Sequence, residues 1–514
     1  MSQLSRSVAN AIRGISGPKR RVALNVAANT TSTIINAFCG FLILPFLISK
    51  LGRETYGIWT LIVACAGYFL LLDFGLSGAV GRLIAGYRSQ GDMHKVNVVI
   101  STTALMLLGV CALVIVLSYF LAIPFFYLFD VPPAEKPDTA LALFIIGTTT
   151  ALSFPGMISY GFLWGYERFD LHNYIEIPVV LIRTGLTLSV ITSEAHLTDL
   201  AWIVSGTSVA GYVIRTAVCW WVEPRLRIRF QFFSRQVLSE MFIFGIWFGL
   251  LSLTRSMLPN IAPFVIGSRL DLAAVTTYTI PRLLVSYTNW VMVSGTQALA
   301  PKAAVYHFAS EPQKQQELFI LGGRYTFALS LFILGGAVFF GYELLTLWQG
   351  SPQQQEYYLL IILMCGEVIP LSQWITYNLV VSMGAHRRLA LLGVLEAATV
   401  LALAAALVGI QQLEGVALAV ALSALAFRGL LQLYYGCQLV GLPVWRFVRL
   451  VFVPVIVFSI PAFALAALYK EAVTADSWLA LFGSCVLYGA VYWLCMLAAL
   501  WRASRITLAT SGGT

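Results

Sequence analysis

The chain contains little charge. Only 11% of its 514 residues are charged, whereas 59% are hydrophobic and the mean hydropathy is +0.83. Soluble domains have roughly 25% charged residues, so the composition excludes a soluble globular protein and indicates a polytopic membrane protein. The net charge of +9 does not indicate nucleic-acid binding, because no segment interleaves basic with aromatic residues and basic loops on one membrane face give the same total.

Residues typical of metal, redox and catalytic sites are few and scattered. The eight cysteines form no C-x-x-C pair, and the five histidines lack ligand spacing. We therefore expect no disulfide and no metal site. The sequence also has no phosphate-binding glycine loop and no Ser/His/Asp arrangement placed by its context. These absences argue against an enzyme, against a bound cofactor and against an ATP-driven transporter.

Long apolar runs are abundant. A membrane-spanning helix needs roughly 20 apolar residues, and windows of that length predict an all-α fold with about 14 spans. Residues 2–16 place their apolar side chains on one helical face, which predicts an interfacial helix within a cytoplasmic segment 1–21. The estimated spans are 22–48, 56–86, 97–122, 139–163, 173–193, 199–222, 237–267, 272–300, 317–347, 356–382, 388–410, 413–440, 447–469 and 477–501.

The distribution of Lys and Arg predicts the orientation. With the N-terminus inside, inward loops, tails and span ends hold 22 basic residues and outward loops hold five. This asymmetry places both termini, including the tail 502–514, in the cytoplasm.

A weak internal repeat divides the spans. The segments PFLISKLGRETYGIW near residue 45 and PFVIGSRLDLAAVTTYTI near residue 263 both end a proline-bearing span and begin another. The repeat predicts two six-helix lobes, 22–222 and 237–440, followed by two extra helices over 447–501.

Five arginines lie deep within predicted spans. Each costs roughly 2.5–3.5 kcal/mol at a lipid-facing mid-span position, so they face a cavity, face a partner, or extend to the interface. We predict that Arg255 and Arg282 line a cavity, with Arg183 and Arg428 as further candidates. For Arg428 and Arg215, reaching the interface remains an alternative.

Four acids accompany these arginines: Asp73, Glu176, Glu367 and Glu396. One interpretation is that salt bridges with the arginines lock helices together, and Glu176 lies seven residues before Arg183 on one face. The other interpretation is that an acid couples transport to protons or sodium.

Polar residues at helical spacing also favour a hydrophilic cavity. Asn29 and Asn36 share one face of the first span, and Ser286 and Asn289 follow Arg282 on the eighth. Hydrogen bonding between helices is the alternative for each stripe.

Three motifs carry a resemblance to a known family: LGRETYGIW, LLDFGLSGAVGRLIA and YERFDLHNYIEIPVVLIRTG, within residues 22–190. They resemble the polysaccharide exporters of the multidrug/oligosaccharidyl-lipid/polysaccharide flippase (MOP) superfamily. The resemblance implies two pseudo-symmetric lobes around a central cavity. It also implies that Arg255 and Arg282 lie on the helices where related flippases keep cavity arginines for a diphosphate.

The functional prediction combines the resemblance with the residues. It is an alternating-access flippase that moves a polyprenyl-diphosphate-linked glycan across the bacterial cytoplasmic membrane for O-antigen, capsule or exopolysaccharide synthesis. Membrane lipids and a polysaccharide polymerase or synthase are the expected partners. Two alternatives are a multidrug cation antiporter of the same superfamily and a non-transporting membrane subunit of an exopolysaccharide synthase.

Overall fold

A computed structural model describes residues 18–511 apart from 74, 298, 352 and 473–475. Within that part the regular secondary structure is helical and no β-sheet is present, so the all-α prediction is confirmed. The interfacial helix predicted over residues 2–16 lies outside the described residues. The last helix continues to Ser511, through most of the predicted tail.

Helices coincide with every predicted span. Those of the described part are α1 (Pro18–Leu51), α2 (Arg53–Phe69), α3 (Leu76–Ser89), α4 (Met93–Phe120), α5 (Ala122–Leu128), α6 (Lys136–Gly165), α7 (Phe169–Val190), α8 (Leu197–Val222), α9 (Arg235–Arg269), α10 (Leu272–Gln297), α11 (Ala300–Phe308), α12 (Pro312–Gln349), α13 (Gln354–Ser372), α14 (Trp374–Ser382), α15 (Arg387–Ala424), α16 (Gln432–Val440), α17 (Val444–Phe447), α18 (Val453–Ala472) and α19 (Trp478–Ser511). Ten segments of this part are long and apolar enough to cross a membrane. One of them, Arg387–Val440, contains two predicted spans that meet at Gln412, where φ is 48°.

The second predicted span, 56–86, is formed by two helices instead of one. Helix α2 ends at Phe69, a 3₁₀ turn covers Leu70–Asp73, and α3 begins at Leu76. Gly75 has φ 75°, in the left-handed region that favours glycine. A Cβ atom there would lie 2.6 Å from the Cα atom of Gly249. The break is therefore held by backbone-to-backbone packing that a larger residue would prevent.

Two further irregularities occur inside predicted spans. The span predicted at 356–382 is interrupted at Gln373, between α13 and α14. Between α15 and α16 the chain forms a π-helical segment, Leu425–Leu431. Wide turns of this kind are rare and are frequent at functional sites.

The structure divides into two compact units: residues Met1–Gly52 with Cys65–Leu250, and residues Arg53–Ala64 with Leu251–Thr514. In the first unit, α6 packs against α3, α4 and α8. Its core includes Ile84, Leu107, Phe154 and Phe162. The predicted lobes 22–222 and 237–440 stay a prediction.

In the second unit, α12 carries the two C-terminal helices α18 and α19. The hydroxyls of Tyr488 and Tyr492 donate to the carbonyl oxygens of Phe332 and Ala328, at 2.9 and 2.7 Å. Because a buried tyrosine hydroxyl needs a partner, these bonds fix how α19 lies against α12. The rest of this contact is apolar and aromatic.

The start of α2 also belongs to the second unit. The Arg53 guanidinium donates to Glu356 Oε1 at 2.7 Å, to Gln353 Oε1 at 2.7 Å and to Thr277 Oγ1 at 3.0 Å. The Thr276 hydroxyl donates to the Arg53 carbonyl oxygen at 2.6 Å. This arginine therefore joins the N-terminal ends of α2, α10 and α13.

Candidate functional site

A polar cavity of about 300 Å³ lies within the second unit. Three of the five deep arginines line it, so we call it the arginine cavity. The lining residues are Arg255, Leu258, Pro259, Arg282, Ser286, Asn289, Trp290, Val293, Pro370, Gln373, Trp374, Arg428 and Gln432. They come from α9, α10, α13, α14, the π-helical segment and α16, so the cavity is built where several helices are interrupted.

Proline and the π-helical segment place the three arginines. Arg255 precedes Pro259 by one turn of α9, and Arg282 directly follows Pro281 in α10. A proline cannot donate to the carbonyl four residues earlier, so the helix is weakened there. Arg428 lies within the π-helical segment.

Arg428 binds two buried carboxylates. Its Nη1 and Nη2 donate to the two oxygens of Glu367 at 3.0 and 2.7 Å, and its Nε donates to Glu396 Oε1 at 2.8 Å. The side chains of Glu367 and Glu396 are 1% and 2% exposed. Such paired, hydrogen-bonded charges tolerate burial, whereas either carboxylate alone would not. Arg428 therefore joins α13, α15 and the π-helical segment and is largely neutralised.

Arg282 has a weaker tie to the same carboxylate. Its Nη1 lies 3.8 Å from Glu367 Oε1, beyond hydrogen-bond distance, and its side chain is 15% exposed. One turn further along α10, the Ser286 hydroxyl donates to the Arg282 carbonyl oxygen at 3.0 Å. Most donors of the Arg282 guanidinium therefore remain available to a ligand in the cavity.

Arg255 is held by aromatic rings. Its Cζ atom lies 4.2 Å from the ring centroid of Trp374 and 3.8 Å from that of Tyr377. The Trp374 indole nitrogen donates to Asn289 Oδ1 at 2.8 Å, which fixes the ring. Among the described residues, no carboxylate lies within ion-pair distance of Arg255. Its charge is oriented by the rings without being neutralised.

The charges of this group do not cancel. Three arginines share two carboxylates, and Arg428 takes most of the contacts to both. One positive charge is left over, on the side of Arg255 and Arg282. A cavity with two positioned guanidinium groups can bind an anionic ligand such as a phosphate through bidentate, charge-assisted hydrogen bonds.

The first unit holds the other deep arginines, Arg183 and Arg215. Glu176 contacts Arg215 of α8 at 3.1 Å, although Arg183 shares its own helix face. Arg183 instead donates to the hydroxyls of Thr207 and Ser208, both at 3.0 Å. The reason is that α8 packs against α7, so its side chains lie next to Glu176 and Arg183.

Three further predicted site residues also belong to the first unit. Asp73 is 9% exposed and ends the 3₁₀ turn between α2 and α3. In α1, Asn36 donates from Nδ2 to the carbonyl oxygen of Ser32, and Asn29 accepts a bond from Thr33 at its carbonyl. These bonds stay within α1, and ligand binding by Asn29 and Asn36 stays a prediction.

The sequence interpretation did not include Trp374 and Tyr377. A tryptophan and a tyrosine three residues apart in an apolar span read as ordinary core residues. The available signal was the pair Pro370 and Gln373, which ends one helix just before the rings. This pair indicates an interruption of the helix, but it does not indicate which cation contacts the rings of Trp374 and Tyr377.

The fold defines a class: a multi-pass, all-helical membrane protein with the fold of the MOP superfamily. A lipid II flippase, MurJ, in an inward closed conformation superposes with a TM-score of 0.69 over 94% of this chain and 100% of that chain, at 12% identity. An inward-facing multidrug resistance MATE transporter gives a TM-score of 0.66 over 81% and 98%, at 13% identity. Likeness at this level of identity shows the fold alone.

The chain belongs to the family described as "polysaccharide biosynthesis protein", whose model matches residues 22–306. A candidate O-antigen transporter of Shigella flexneri is 23% identical over 269 residues, covering 50% of this chain and 61% of that protein. The chain spans about half the length of the curated relatives that it matches. The resemblance to polysaccharide exporters is thus confirmed at the level of the family.

Proposed function

We propose that this chain is a flippase that moves polyprenyl-diphosphate-linked oligosaccharide across the cytoplasmic membrane by alternating access. One observation carries the proposal: Arg255 and Arg282 line one polar cavity, and both keep hydrogen-bond donors that no carboxylate of the described residues uses. A diphosphate crossing an apolar slab needs such fixed cationic donors. The polyprenyl tail stays in lipid while the charged head enters the cavity.

The cavity also separates this proposal from its first rival. A multidrug cation antiporter needs acidic groups free to bind a cation. Here Glu367 and Glu396 are both bound by Arg428, and the excess charge of the group is positive. The fold is common to both activities, so the charge of the cavity carries the distinction.

Ion coupling through the four predicted acids is less favoured. Glu367, Glu396 and Glu176 each form an ion pair with an arginine. Binding a proton or sodium ion would require breaking these pairs. This favours the helix-locking interpretation for the three, and coupling through Asp73 stays a prediction.

The decisive test is the Arg255→Ala/Arg282→Ala double variant in proteoliposomes that contain polyprenyl-diphosphate-linked oligosaccharide. We expect flipping to be lost while the protein still folds and inserts. Each lost charge-assisted contact costs roughly 1.5–3 kcal/mol, about ten- to hundredfold in affinity. Arg→Lys at each position should keep part of the activity, because the charge survives and the bidentate fork does not.

The matched control is Arg446→Ala, which removes an exposed arginine of the same unit outside the cavity. It should flip lipid-linked oligosaccharide at the wild-type rate. Wild-type flipping by the double variant would exclude the cationic-cavity mechanism. A wild-type protein that moves no lipid-linked sugar by itself would instead support the synthase-subunit alternative.

The proposed orientation has both termini in the cytoplasm, as the distribution of basic residues predicts. In a cysteine-free variant, a cysteine at Ser351 should react with a membrane-impermeant maleimide in whole cells. A cysteine at Ser234 should react only after the membrane is permeabilised. The reverse labelling would overturn the orientation and with it the direction of transport.

A further inference from the structure

The connection between α8 and α9 contains an amphipathic extended segment, residues 225–229, which we call the arginine strand. Arg225, Arg227 and Arg229 are exposed, whereas Leu226 between them is 7% exposed. In an extended chain, alternate side chains point to opposite sides. The alternation therefore produces one cationic edge and one apolar edge.

A row of buried polar residues on α4 holds the arginine strand. The Asn97 side chain donates to the Arg225 carbonyl oxygen at 3.3 Å and accepts from the Arg227 backbone N–H at 2.9 Å. One turn further, the Ser101 hydroxyl donates to the Arg227 carbonyl oxygen at 3.3 Å and accepts from the Arg229 backbone N–H at 3.1 Å. These bonds pair backbone N–H and carbonyl groups of the arginine strand, as a neighbouring β-strand would. The backbone that carries the arginine side chains is therefore held in place.

Two of the three arginines have no acidic partner. Arg225 donates to both oxygens of Glu223, at 2.8 and 3.0 Å, and these bonds hold the pKa of the Glu223 carboxyl below its ordinary value. Within residues 18–511 as described, no carboxylate lies in ion-pair distance of Arg227 or Arg229. The cationic edge therefore offers two guanidinium groups to an outside anion.

The apolar edge borders a second cavity, of about 470 Å³, between α4, α6 and α8. Leu226 and Ile228 of the arginine strand line it, and its wall is almost entirely apolar. Some lining side chains are also exposed at the protein surface, including Val213 at 63% and Trp220 at 47%. The cavity is thus open to the surface of predicted membrane-spanning helices, and the medium around such helices is hydrocarbon.

We propose that the arginine strand and this cavity form a binding site for one anionic phospholipid of the bilayer. The phosphate binds Arg227 and Arg229, and an acyl chain occupies the cavity beside Leu226, Ile228 and Trp220. Charge complementarity and the adjoining apolar cavity argue for this occupant, because a membrane phospholipid carries an anionic phosphate next to its hydrocarbon chains. The site lies in the first unit and shares no residue with the arginine cavity, so it is independent of the proposed transport site.

The test uses the purified full-length protein and native mass spectrometry with three separate probes: phosphatidylglycerol, phosphatidylcholine and polyprenyl phosphate. We expect the wild type to retain phosphatidylglycerol and not phosphatidylcholine. The Arg227→Gln/Arg229→Gln variant should bind phosphatidylglycerol roughly 30-fold more weakly, as two arginines near a membrane surface contribute. Ala217→Trp, which fills the cavity and leaves both arginines in place, should also weaken binding.

The matched control is Arg446→Gln/Arg449→Gln, which removes the same charge from two exposed arginines of another segment. It should bind phosphatidylglycerol as the wild type does. Equal losses in both double variants would show non-specific attraction and overturn the site. Wild-type binding of phosphatidylglycerol by Ala217→Trp or by Arg227→Gln/Arg229→Gln would also overturn the site. Retention of polyprenyl phosphate in place of phosphatidylglycerol would overturn it as well. Unchanged melting temperatures exclude misfolding as the cause of any loss.

Discussion

The two units handle buried arginine in different ways. In the first unit, Arg215 has Glu176 as its partner and Arg183 has two hydroxyls, so each guanidinium is committed to a neighbouring helix. In the second unit, Arg428 binds both available carboxylates. Arg255 and Arg282 are thereby left with donors that face a cavity. Among these five arginines, the two whose donors face a cavity thus lie together in the second unit.

This difference separates structural arginines from candidate ligand-binding ones. A buried guanidinium that is fully hydrogen-bonded within the protein stabilises the packing of helices. One that is oriented by aromatic rings, or that lies just beyond hydrogen-bond distance of an acid, is positioned without being satisfied. The following variants test whether the distinction holds, in order of decreasing expected effect.

The largest effect should come from Arg428→Leu. It leaves Glu367 and Glu396 buried without their partner, and breaking a buried ion pair costs about 3–5 kcal/mol. We expect a strongly lowered melting temperature of the detergent-solubilised protein. The triple variant Arg428→Leu/Glu367→Gln/Glu396→Gln removes all three charges and should recover most of the stability. If the single variant melts like the wild type, Arg428 is not the structural member of the group.

A smaller loss of stability is expected from Arg215→Met. Its ion pair with Glu176 is partly exposed, at 11% and 26%, so we expect a loss of about 1–3 kcal/mol, between the values for surface and buried pairs. The protein that remains folded should flip substrate at the wild-type rate. The readouts are melting temperature and flipping per folded protein. A defect in flipping without a change in melting temperature would place Arg215 among the ligand-binding arginines and remove the contrast.

The smallest effect concerns the rings around Arg255. Trp374→Leu removes one cation–π contact, worth about 0.5–2 kcal/mol, and should slow flipping roughly 2- to 30-fold. In an Arg255→Ala background, the same substitution should cause no additional loss, because the ring acts by positioning that arginine. The measurement is a double-mutant cycle of flipping rates. Additive losses would show that Trp374 acts independently of Arg255.

Much of the fold can be predicted from the sequence by simple physical rules. An apolar run of sufficient length has to be helical in a bilayer, because no water satisfies its backbone, and helices coincide with all the predicted spans. The breaks were less visible. Asp73–Gly75 and Gln373 lie within continuous apolar stretches, and hydropathy does not register a left-handed glycine or a one-residue interruption.

The sequence predicted which residues line the cavity better than it predicted which of them contact each other. Arg255, Arg282, Ser286, Asn289 and Arg428 were expected in a cavity because charge is costly in lipid, and they do line one cavity. Their binding of substrate stays a prediction. The sequence did not show which arginine pairs with which acid. Helical spacing tells which residues share a face of one helix, but it does not tell which face of the next helix meets it, as the Glu176–Arg215 pair shows.

The π-helical segment Leu425–Leu431 links chain length to the direction of a side chain. A π turn contains more residues than an α turn, so the helix here has room for one residue that a regular helix would not accommodate. Deleting a single codon in this stretch would restore α geometry and rotate Arg428 relative to Gln432 and the residues after it. The ion pairs of Arg428 therefore depend on the number of residues in this segment as well as on their identity. An insertion or deletion here would change the structure even if Arg428 itself were kept.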